Sequence, residues 1–396
     1  PPRSTPKPSS AASDVYKRQR LEGGDEPGLI LLQHSDVVPA DEEFWTIPVL
    51  SGAIRDGVIL GRGARDMKGL GTLQLATFLA LHRSGVELNR DVVFLATADE
   101  EAGGLYGVGW LIDNRPEIFE DIGILLNEGG GGSRVGQSVV FSVEVTQKVP
   151  VWLRLYAVDR PGHGSSPRTT SSVTRIVQAL NTLRENPFPP RIIGPVNEYF
   201  SALSVDMDQE WAGSYADIQS AINDPNFVEK LHEARPGHNS LIRDTCSMTR
   251  MSGSNKINVI PPTAWAELDC RILPDKPADQ FISELDNLIG YTGVEIQTIM
   301  AFTPAISETN SRLYRAIDSV TQELHPGSRV LPSVSTGFTD SHFTRDLGII
   351  SYGFNPIITN RGEHTGVHGN DEQVGEQAFR RGVADYYAVV RNVVID

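Results

Sequence analysis

The sequence predicts an α/β protein in which a domain with a mostly parallel sheet is interrupted by an α+β insert. Three observations lead to this prediction. Apolar runs alternate with helical segments at both ends of the chain, this pattern changes near Gln147 and returns after Thr303, and 396 residues are too many for one ordinary core. We therefore expect one domain in two parts, residues 21–147 and 304–396, with an inserted domain at residues 148–303.

The first part of the split domain contains three predicted buried strands and a helix. Continuous apolar runs, typical of parallel strands buried on both faces, occur at residues 29–32, 92–96 and 122–126. Residues 67–84 have apolar positions at helical spacing, with a basic last turn and Gly85 as a stop signal.

The insert mixes strands and helices. Residues 149–158 alternate in part between apolar and polar side chains, which is typical of a half-exposed antiparallel strand. Further helices are predicted near 171–185 and 215–234, and further strands near 264–272 and 294–300. After the insert we expect a helix near 310–324, a strand at 348–353 and a helix at 376–393.

Residues 1–20 are rich in Pro, Ser and basic residues, and they lack the apolar segment of a signal peptide. Part of this stretch resembles translated vector sequence, so we expect it to be a non-native or disordered leader outside the fold. The compartment is left unknown, with the cytoplasm as the default.

Composition excludes several classes of partner. Lys and Arg total 35 against 50 Asp and Glu, a formal charge of −15, whereas nucleic acids and anionic membranes select basic surfaces. No apolar run approaches the roughly 20 residues that span a bilayer. With only Cys246 and Cys270, we expect neither a disulfide framework nor a thiolate zinc site, so any zinc must be bound by His, Asp and Glu.

Metal-ligating side chains follow the predicted strands at the point where each strand ends. His34 follows the first strand, Glu100 and Glu101 follow the second, and Glu128 follows the third. Because the carboxyl ends of parallel strands meet at one edge of a sheet, these side chains can converge there.

Asp66 lies in the glycine-rich stretch GRGARDMKG, which leads into the helix at 67–84. Its carboxylate can bridge two cations, or it can simply cap the helix. Glycine-rich loops also bind phosphates, but this one lacks the Walker spacing, so we discount a nucleotide site.

Seven strings occur in order along residues 28–395: HSDVVPA, GRGARDMKG, TADEEAGG, LNEGG, RPGHGSSP, NVIPP and GVHGNDE. Together they resemble the dinuclear zinc hydrolases that include aminoacylase, acetylornithine deacetylase, succinyl-diaminopimelate desuccinylase, glutamate carboxypeptidase and carboxypeptidase S. The resemblance implies a zinc-exopeptidase-like catalytic domain with an inserted ferredoxin-like domain that serves as lid and dimerisation surface.

The resemblance also implies a ligand set for two Zn²⁺ ions per subunit, with Co²⁺ or Mn²⁺ as possible replacements. His34 and Glu128 would bind one ion, Glu101 and His368 the other, and Asp66 would bridge them. His364 is the alternative to His368, but the residues Gly-Asn-Asp-Glu that follow favour His368.

Catalytic roles follow from the same resemblance. Glu100 would be the general base, and Asp36 would orient the imidazole of His34. His163, in the insert, would reach the active site from a partner subunit and stabilise the oxyanion.

Substrate contacts are also implied by the resemblance. Asn258 and Arg271 would hold the carboxylate of the substrate. Gly337 and Thr339 lie in a loop that would line the pocket, where Phe338 replaces the usual glycine. The Glu of LNEGG favours the aminoacylase and carboxypeptidase S members.

We thus expect a homodimeric hydrolase that cleaves an amide bond in a small peptide or N-acyl amino acid with a free carboxylate, without nucleic-acid or membrane partners. Two alternatives stay open. The enzyme could be a narrow deacylase acting on acetylornithine or a succinylated diamine, which a substrate panel would distinguish. It could also be an inactive metal-binding dimer scaffold, which the intact Glu100 and complete ligand set disfavour.

Overall fold

The computed structural model describes residues 16–135, 138–290, 293–360, 363 and 365–395. They form two compact units. The first contains the chain up to Val145, Ser307–Ser333 and the chain from Thr339 onwards, and the second contains Thr146–Ile306 with Val334–Phe338. The predicted insert, residues 148–303, falls inside the second unit.

The elements are numbered in chain order. Before the insert lie β1 (Tyr16–Leu21), β2 (Glu26–His34), β3 (Ala53–Arg55), β4 (Val58–Leu60), α1 (Lys68–Ser84), β5 (Arg90–Thr97), α2 (Val108–Asn114), β6 (Ile122–Asn127), β7 (Gly131–Val135) and β8 (Ser138–Gln147). The insert contains β9 (Val149–Val158), β10 (Gly162–His163), α3 (Ser172–Glu185), α4 (Gly194–Leu203), α5 (Gln209–Ala216), α6 (Ile218–Ala221), α7 (Pro225–Ala234), α8 (Pro236–Leu241), β11 (Thr245–Ser252), β12 (Val259–Ile260), β13 (Thr263–Ile272), α9 (Ala278–Ile289) and β14 (Val294–Ala301). After it come α10 (Arg312–Leu324), β15 (Arg329–Ser335), α11 (Ser341–Asp346), β16 (Ile350–Gly353), β17 (Ile358–Asn360), β18 (Gln373–Gly375) and α12 (Glu376–Ile395).

The first unit is built on a nine-stranded sheet with the order β1-β5-β2-β6-β16-β8-β7-β17, in which β15 also pairs with β8. Its centre, from β5 through β2 and β6 to β16, is parallel. Leu29 and Leu31 pack in the same cluster as residues of α1, α10 and α12, whereas Ile30 and Leu32 pack with residues of α2. Both faces are therefore covered, which explains the continuous apolar run and confirms the predicted α/β class.

Residues 16–20, which we expected to lie outside the fold, form most of β1. This strand pairs antiparallel with β5, from Tyr16 opposite Thr97 to Leu21 opposite Val92. The expectation was wrong for these residues, because backbone pairing with a sheet edge needs no apolar sequence signal. Residues 1–15 lie outside the described part of the chain.

The second unit contains a four-stranded antiparallel sheet with the order β11-β13-β9-β14. Leaving aside the helices α4–α8 and the two-residue strands β10 and β12, the chain order is β9-α3-β11-β13-α9-β14, the βαββαβ pattern of ferredoxin-like domains. Helices α3 and α9 pack on this sheet. The predicted α+β character of the insert is thereby confirmed.

The helix predicted at 215–234 is three helices, α5, α6 and α7. Asp217 and Asp224 break it, because each turns its side chain to accept a backbone N–H two or three residues later, from Ser220 and Asn226. Pro225, which lacks an N–H, then begins α7. The aromatic rings of α4, α5 and α7 form a separate buried cluster.

Within the described residues, no helix combines the length and apolarity needed to cross a membrane.

Cys246 and Cys270 form a disulfide between directly opposite positions of β11 and β13. We expected no disulfide framework, and this one disulfide corrects that expectation. Two cysteines 24 residues apart show no pairing signal until strand register places them together.

The disulfide should contribute measurably to stability. Closing a loop of this length constrains the unfolded chain by about 3 kcal/mol. We expect C246A/C270A to lose about this much unfolding free energy in urea, and a reductant to destabilise the wild type but not the double variant. A wild-type midpoint unchanged by reductant would contradict a structural role.

Candidate metal centre

His34, the last residue of β2, is almost completely buried, at 1% exposed. Its Nε2 atom faces three carboxylates, at 3.3 Å from Asp66 Oδ1, 3.7 Å from Glu128 Oε2 and 3.8 Å from Glu100 Oε2. Its other nitrogen, Nδ1, lies 3.4 Å from Asp36 Oδ1. The strand ends thus converge as the sequence indicated.

Asp66, in the loop before α1, faces two histidines with its two oxygens. While Oδ1 faces His34, Oδ2 lies 3.0 Å from Nε2 of His368. Glu101 Oε2 lies 3.3 Å from that same nitrogen. The five predicted ligands therefore form two groups that share Asp66. His364, the alternative to His368, lies outside the described residues.

The backbone leaves the extended strand conformation directly after β5. This bend allows the adjacent side chains of Glu100 and Glu101 to face different neighbours. Glu100–Ala102 form a short 3₁₀ turn. Asp99 before it and Gly103 after it have left-handed φ angles of 75° and 114°. This turn directs Glu100 towards His34 and Glu101 towards His368.

The nitrogen and oxygen atoms of the cluster are arranged to bind metal ions rather than to hydrogen-bond with each other. His34 Nε2, Asp66 Oδ1 and Glu101 Oε1 are buried, and none has a hydrogen-bond partner among the residues that the structure describes. Around a tetrahedral zinc ion, neighbouring ligand atoms lie about 3.3 Å apart. The observed separations of 3.0–3.7 Å between the predicted ligand atoms match this spacing. Imidazole and carboxylate are also ligands that Zn²⁺ accepts.

The electrostatics of the cluster favour cation binding. Burial, reinforced by the nearby Glu128, raises the pKa of Glu100 to about 11. Burial, together with Asp66, also raises the pKa values of Glu101 and Glu128 above their usual range. Several carboxylates in one buried pocket repel each other, and divalent cations relieve this repulsion.

Asp36 connects the two groups of ligands. Besides facing His34, it accepts the backbone N–H of Glu101 at 3.1 Å through Oδ2. Burial opposes its ionisation, but the contact with His34 holds the pKa of Asp36 below its usual value. It therefore lies where a carboxylate that orients the imidazole is expected.

Glu372 is a residue whose role the sequence did not reveal. Its fully buried carboxylate accepts the backbone N–H groups of Gly63, Arg65 and Asp66 at 2.8–2.9 Å. It also accepts a hydrogen bond from the guanidinium of Arg62 at 2.8 Å. Four donors thus hold this carboxylate in one orientation.

Because Glu372 follows His368 by four residues, it fastens the loop of one ligand to the loop that carries Asp66. The only signal in the sequence was its position in the string GVHGNDE. That string identified a motif without showing which loop the glutamate would contact.

Asp340 directly follows Thr339 of the predicted lining loop, and it is a second acidic group whose role the sequence did not reveal. It is 1% exposed, and burial raises its pKa well above the usual value. A Cβ atom at Gly104 would lie 2.3 Å from Asp340 Oδ1, so only glycine permits this approach.

His163 lies in the second unit, on the two-residue strand β10. The backbone N–H of Ser165 donates to its Nδ1 at 3.2 Å, and the Ser165 hydroxyl lies 2.8 Å from the same atom. With Nδ1 used as an acceptor, the neutral ring carries its proton on Nε2, which is free to donate. Asn258 is close by, since its carbonyl accepts the N–H of Gly164 at 2.8 Å.

The other predicted substrate contacts are divided between the two units. Arg271, on β13, donates from Nε to Asp269 Oδ1 at 2.7 Å, while its Nη1 is buried without a partner in the described part of the chain. Gly337 is exposed in the second unit, and Thr339 is buried in the first.

A cluster of two histidines and several carboxylates at the carboxyl edge of a parallel sheet is typical of metal-dependent hydrolases. The comparison with protein families agrees. Residues 30–392 match peptidase family M20/M25/M40, and the chain belongs to this family.

Curated relatives place the chain among enzymes that act on amide bonds. N-fatty-acyl-amino acid synthase/hydrolase PM20D1 of Xenopus tropicalis is 29% identical over 385 residues, covering 94% of this chain and 74% of the relative. Aminoacylase-1 of Sus scrofa is 25% identical over 368 residues, covering 90% and 78%. The protein is accordingly a hydrolase that acts on amide bonds.

Among solved structures, the M20 family metallo-carboxypeptidase Sso-CP2 from Sulfolobus solfataricus has a TM-score of 0.72 at 18% identity. The alignment covers 96% of this chain and 88% of the other. The whole fold, including the insert, is therefore shared.

Removing the charge of Glu372 should weaken metal binding. In E372Q the amide nitrogen cannot accept the hydrogen bonds of the glycine-rich loop, so Asp66 should lose its fixed position. We expect a tenfold or greater loss of zinc affinity, as for other groups that support ligands, in chelator competition. E376Q, at the start of α12, should bind zinc like the wild type, and an equally tight E372Q would contradict this role.

Proposed function

We propose that the protein hydrolyses the amide bond of N-acyl amino acids or small peptides with a free carboxylate, using two zinc ions. The observation that carries this proposal is the position of Asp66, whose two oxygens face His34 and His368 separately at 3.3 and 3.0 Å. A carboxylate in this position suits a bridge between two cations.

The ligand set follows from the two groups around Asp66. His34 and Glu128 would hold one ion, and Glu101 and His368 the other. When bound, the two ions supply Lewis acidity, which lowers the pKa of water and polarises the carbonyl group of the substrate. Co²⁺ or Mn²⁺ could occupy the same oxygen and nitrogen ligands.

Glu100 would move the proton in this reaction. It takes a proton from the attacking water as the C–O bond forms, and it delivers that proton to the amine nitrogen as the C–N bond breaks. Its burial keeps competing bulk water away, and its position near His34 supports this role. Asp36 would keep His34 in one ring orientation.

His163 would stabilise the oxyanion. The hydrogen bond from Ser165 to Nδ1 leaves Nε2–H as the donor that such a role requires. We propose that this histidine serves the metal cluster of a partner subunit in a homodimer. Strand β11 supports self-association, because it is an edge strand with Met251 62% exposed.

The carboxylate of the substrate would be bound by Asn258 and Arg271. Arg271 keeps its Nη1 for a ligand, because Asp269 engages only Nε and Nη2. Gly337 and Thr339 would line the pocket. This pairing would favour substrates with a free carboxylate over capped ones.

The names of the relatives favour N-acyl amino acids as substrates, since both PM20D1 and aminoacylase-1 are similar over 90% or more of this chain. A narrow deacylase for acetylornithine or a succinylated diamine is the second candidate within the class. An inactive metal-binding scaffold fits less well, because Glu100 is present and buried beside the ligands.

A substrate panel with zinc-loaded protein tests the proposed specificity. The panel contains N-acetyl and N-dodecanoyl amino acids, their methyl esters, dipeptides, acetylornithine and succinyl-diaminopimelate. We expect turnover of several N-acyl amino acids and none of the esters. Exclusive turnover of acetylornithine or succinyl-diaminopimelate would establish the narrow deacylase instead.

E100A tests the role of the proposed base. We expect zinc content to be retained and turnover to fall by about 10²–10⁴-fold or more, because the proposed proton carrier is removed. E120A, an exposed glutamate, is the control. Unchanged turnover would remove Glu100 from the mechanism, and loss of zinc would make it a ligand.

Mixing variants tests whether His163 acts between subunits. H163A should lower kcat rather than raise KM, and E100A should be inactive. If each site uses the histidine of the other protomer, a random mixture should recover up to about one quarter of wild-type turnover, through one intact site per heterodimer. No recovery in a confirmed heterodimer would show that His163 serves its own subunit.

A further inference from the structure

The second unit contains two adjoining cavities of about 360 and 400 Å³. They share the walls formed by Pro187, Phe188, His232 and Arg243. The cavities lie among the end of α3, the helices α7 and α8, and the start of β11. Most of the remaining lining is apolar, so together they suit a ligand with a substantial apolar body.

Arg243 and His232 are the polar side chains in the shared wall. Arg243 is only 7% exposed, and its Nε and Nη2 atoms are buried with no hydrogen-bond partner in the described residues. Burying a guanidinium without partners is unfavourable, so buried arginines are normally paired. A ligand that supplies the missing acceptors would explain this arrangement.

The carboxylate of the neighbouring Asp244 does not pair with the guanidinium of Arg243. Asp244 is used elsewhere, since its carboxylate pairs with Arg191 at 2.8 Å and with Lys276 at 2.9 Å. Lys148 supplies no acceptor either, because its Nζ donates to the backbone carbonyl of Arg243 at 2.9 Å. Burial lowers the pKa of Arg243. Asp244 and Glu229 line the two cavities, but among the described residues neither forms an ion pair with its guanidinium.

The free atoms of Arg243 define the chemistry of the missing partner. Nε and Nη2 lie on one edge of the guanidinium plane, where two parallel N–H bonds match the two oxygens of a carboxylate. Asn239 lines the first cavity, and its Oδ1 is also buried without a partner in the described chain. That oxygen can accept an N–H group from the same ligand.

This cavity is separate from the proposed substrate contacts. Cys246 lines it and is bonded to Cys270 of β13, so that face of the sheet is the cavity side. Arg271, the next residue of β13, points to the opposite face, because side chains alternate along a strand. None of the residues assigned to catalysis lines either cavity.

We propose that the Arg243 cavity is a second binding site, which takes a carboxylate with an apolar body, such as a fatty acid or an N-acyl amino acid. The carboxylate pairs with Nε and Nη2 of Arg243. The apolar body fills the adjoining cavities. The proposal does not depend on the catalytic role assigned above, because binding is measured without turnover.

Calorimetry on zinc-loaded E100A, which prevents hydrolysis, tests the proposal with dodecanoate, N-dodecanoylglycine and inorganic phosphate. We expect binding of the two amphiphiles that is weakened at least tenfold by R243M, and much weaker binding of phosphate. Tighter binding of N-dodecanoylglycine than of dodecanoate would identify an N-acyl amino acid, through Asn239, as the preferred ligand. Similar affinities of the two amphiphiles would show that a carboxylate and an apolar chain are sufficient for binding.

Arg184 provides a matched control, because it lines the same cavity with a side chain that is 66% exposed. R184M should bind both amphiphiles like the parent protein. R243K keeps the positive charge but lacks the two parallel N–H donors, so it should also bind both amphiphiles at least tenfold more weakly. It replaces R243M in the test if R243M does not fold. In the wild-type background, R243M should keep its kcat for an N-acetyl amino acid.

Two results would overturn the proposal. The first is that R243M and R243K bind both amphiphiles as tightly as the parent protein does. The same holds if the parent protein binds neither amphiphile. The second is a change in dimer dissociation by R243M with unchanged amphiphile binding, which would mean that a second copy of the chain pairs with Arg243.

Discussion

The position of the Asp66 carboxylate between two histidines is the constraint on which the first unit depends. His34 comes from the end of a central strand, whereas His368 comes from a turn near the end of the chain. Asp66 can face both only if its own loop is fixed, and the buried Glu372 fixes it through three backbone N–H groups. The parallel sheet supplies the edge at which these segments meet.

The two units carry opposite unbalanced charges in their interiors. In the first, buried carboxylates outnumber the histidines beside them, and the pKa of Glu100 is raised to about 11. In the second, burial and then repulsion from Arg191, Arg271 and Arg243 lower the pKa of Lys148 to about 7, although Asp244 opposes this. Burying charge without full compensation is unfavourable. We propose that ligands relieve both imbalances, with cations in the first unit and a carboxylate beside Arg243 in the second.

Much of the fold could be predicted from the sequence. The strands buried on both faces, the helix ending at Gly85 and the insert all have strong local patterns. Strand β1, the disulfide and the break at Asp224 were not predicted, because each depends on a partner or a local hydrogen bond that the pattern does not encode. Of the site, His34, Glu101 and Glu128 followed from their positions after strands, whereas Asp66 and His368 followed mainly from the resemblance to a family.

The sequence by itself determined the residue types and the order of the motifs, and these were enough to indicate a metal-dependent amide hydrolase. Only the tertiary structure decided which histidine each oxygen of Asp66 faces and which loop Glu372 holds. It also decided that Nε and Nη2 of Arg243 lack a partner among the described residues. The physical reason is that these properties depend on distances between residues far apart in the chain. A linear pattern of charges and apolar side chains fixes local structure, but the pairing of buried charges is set by packing.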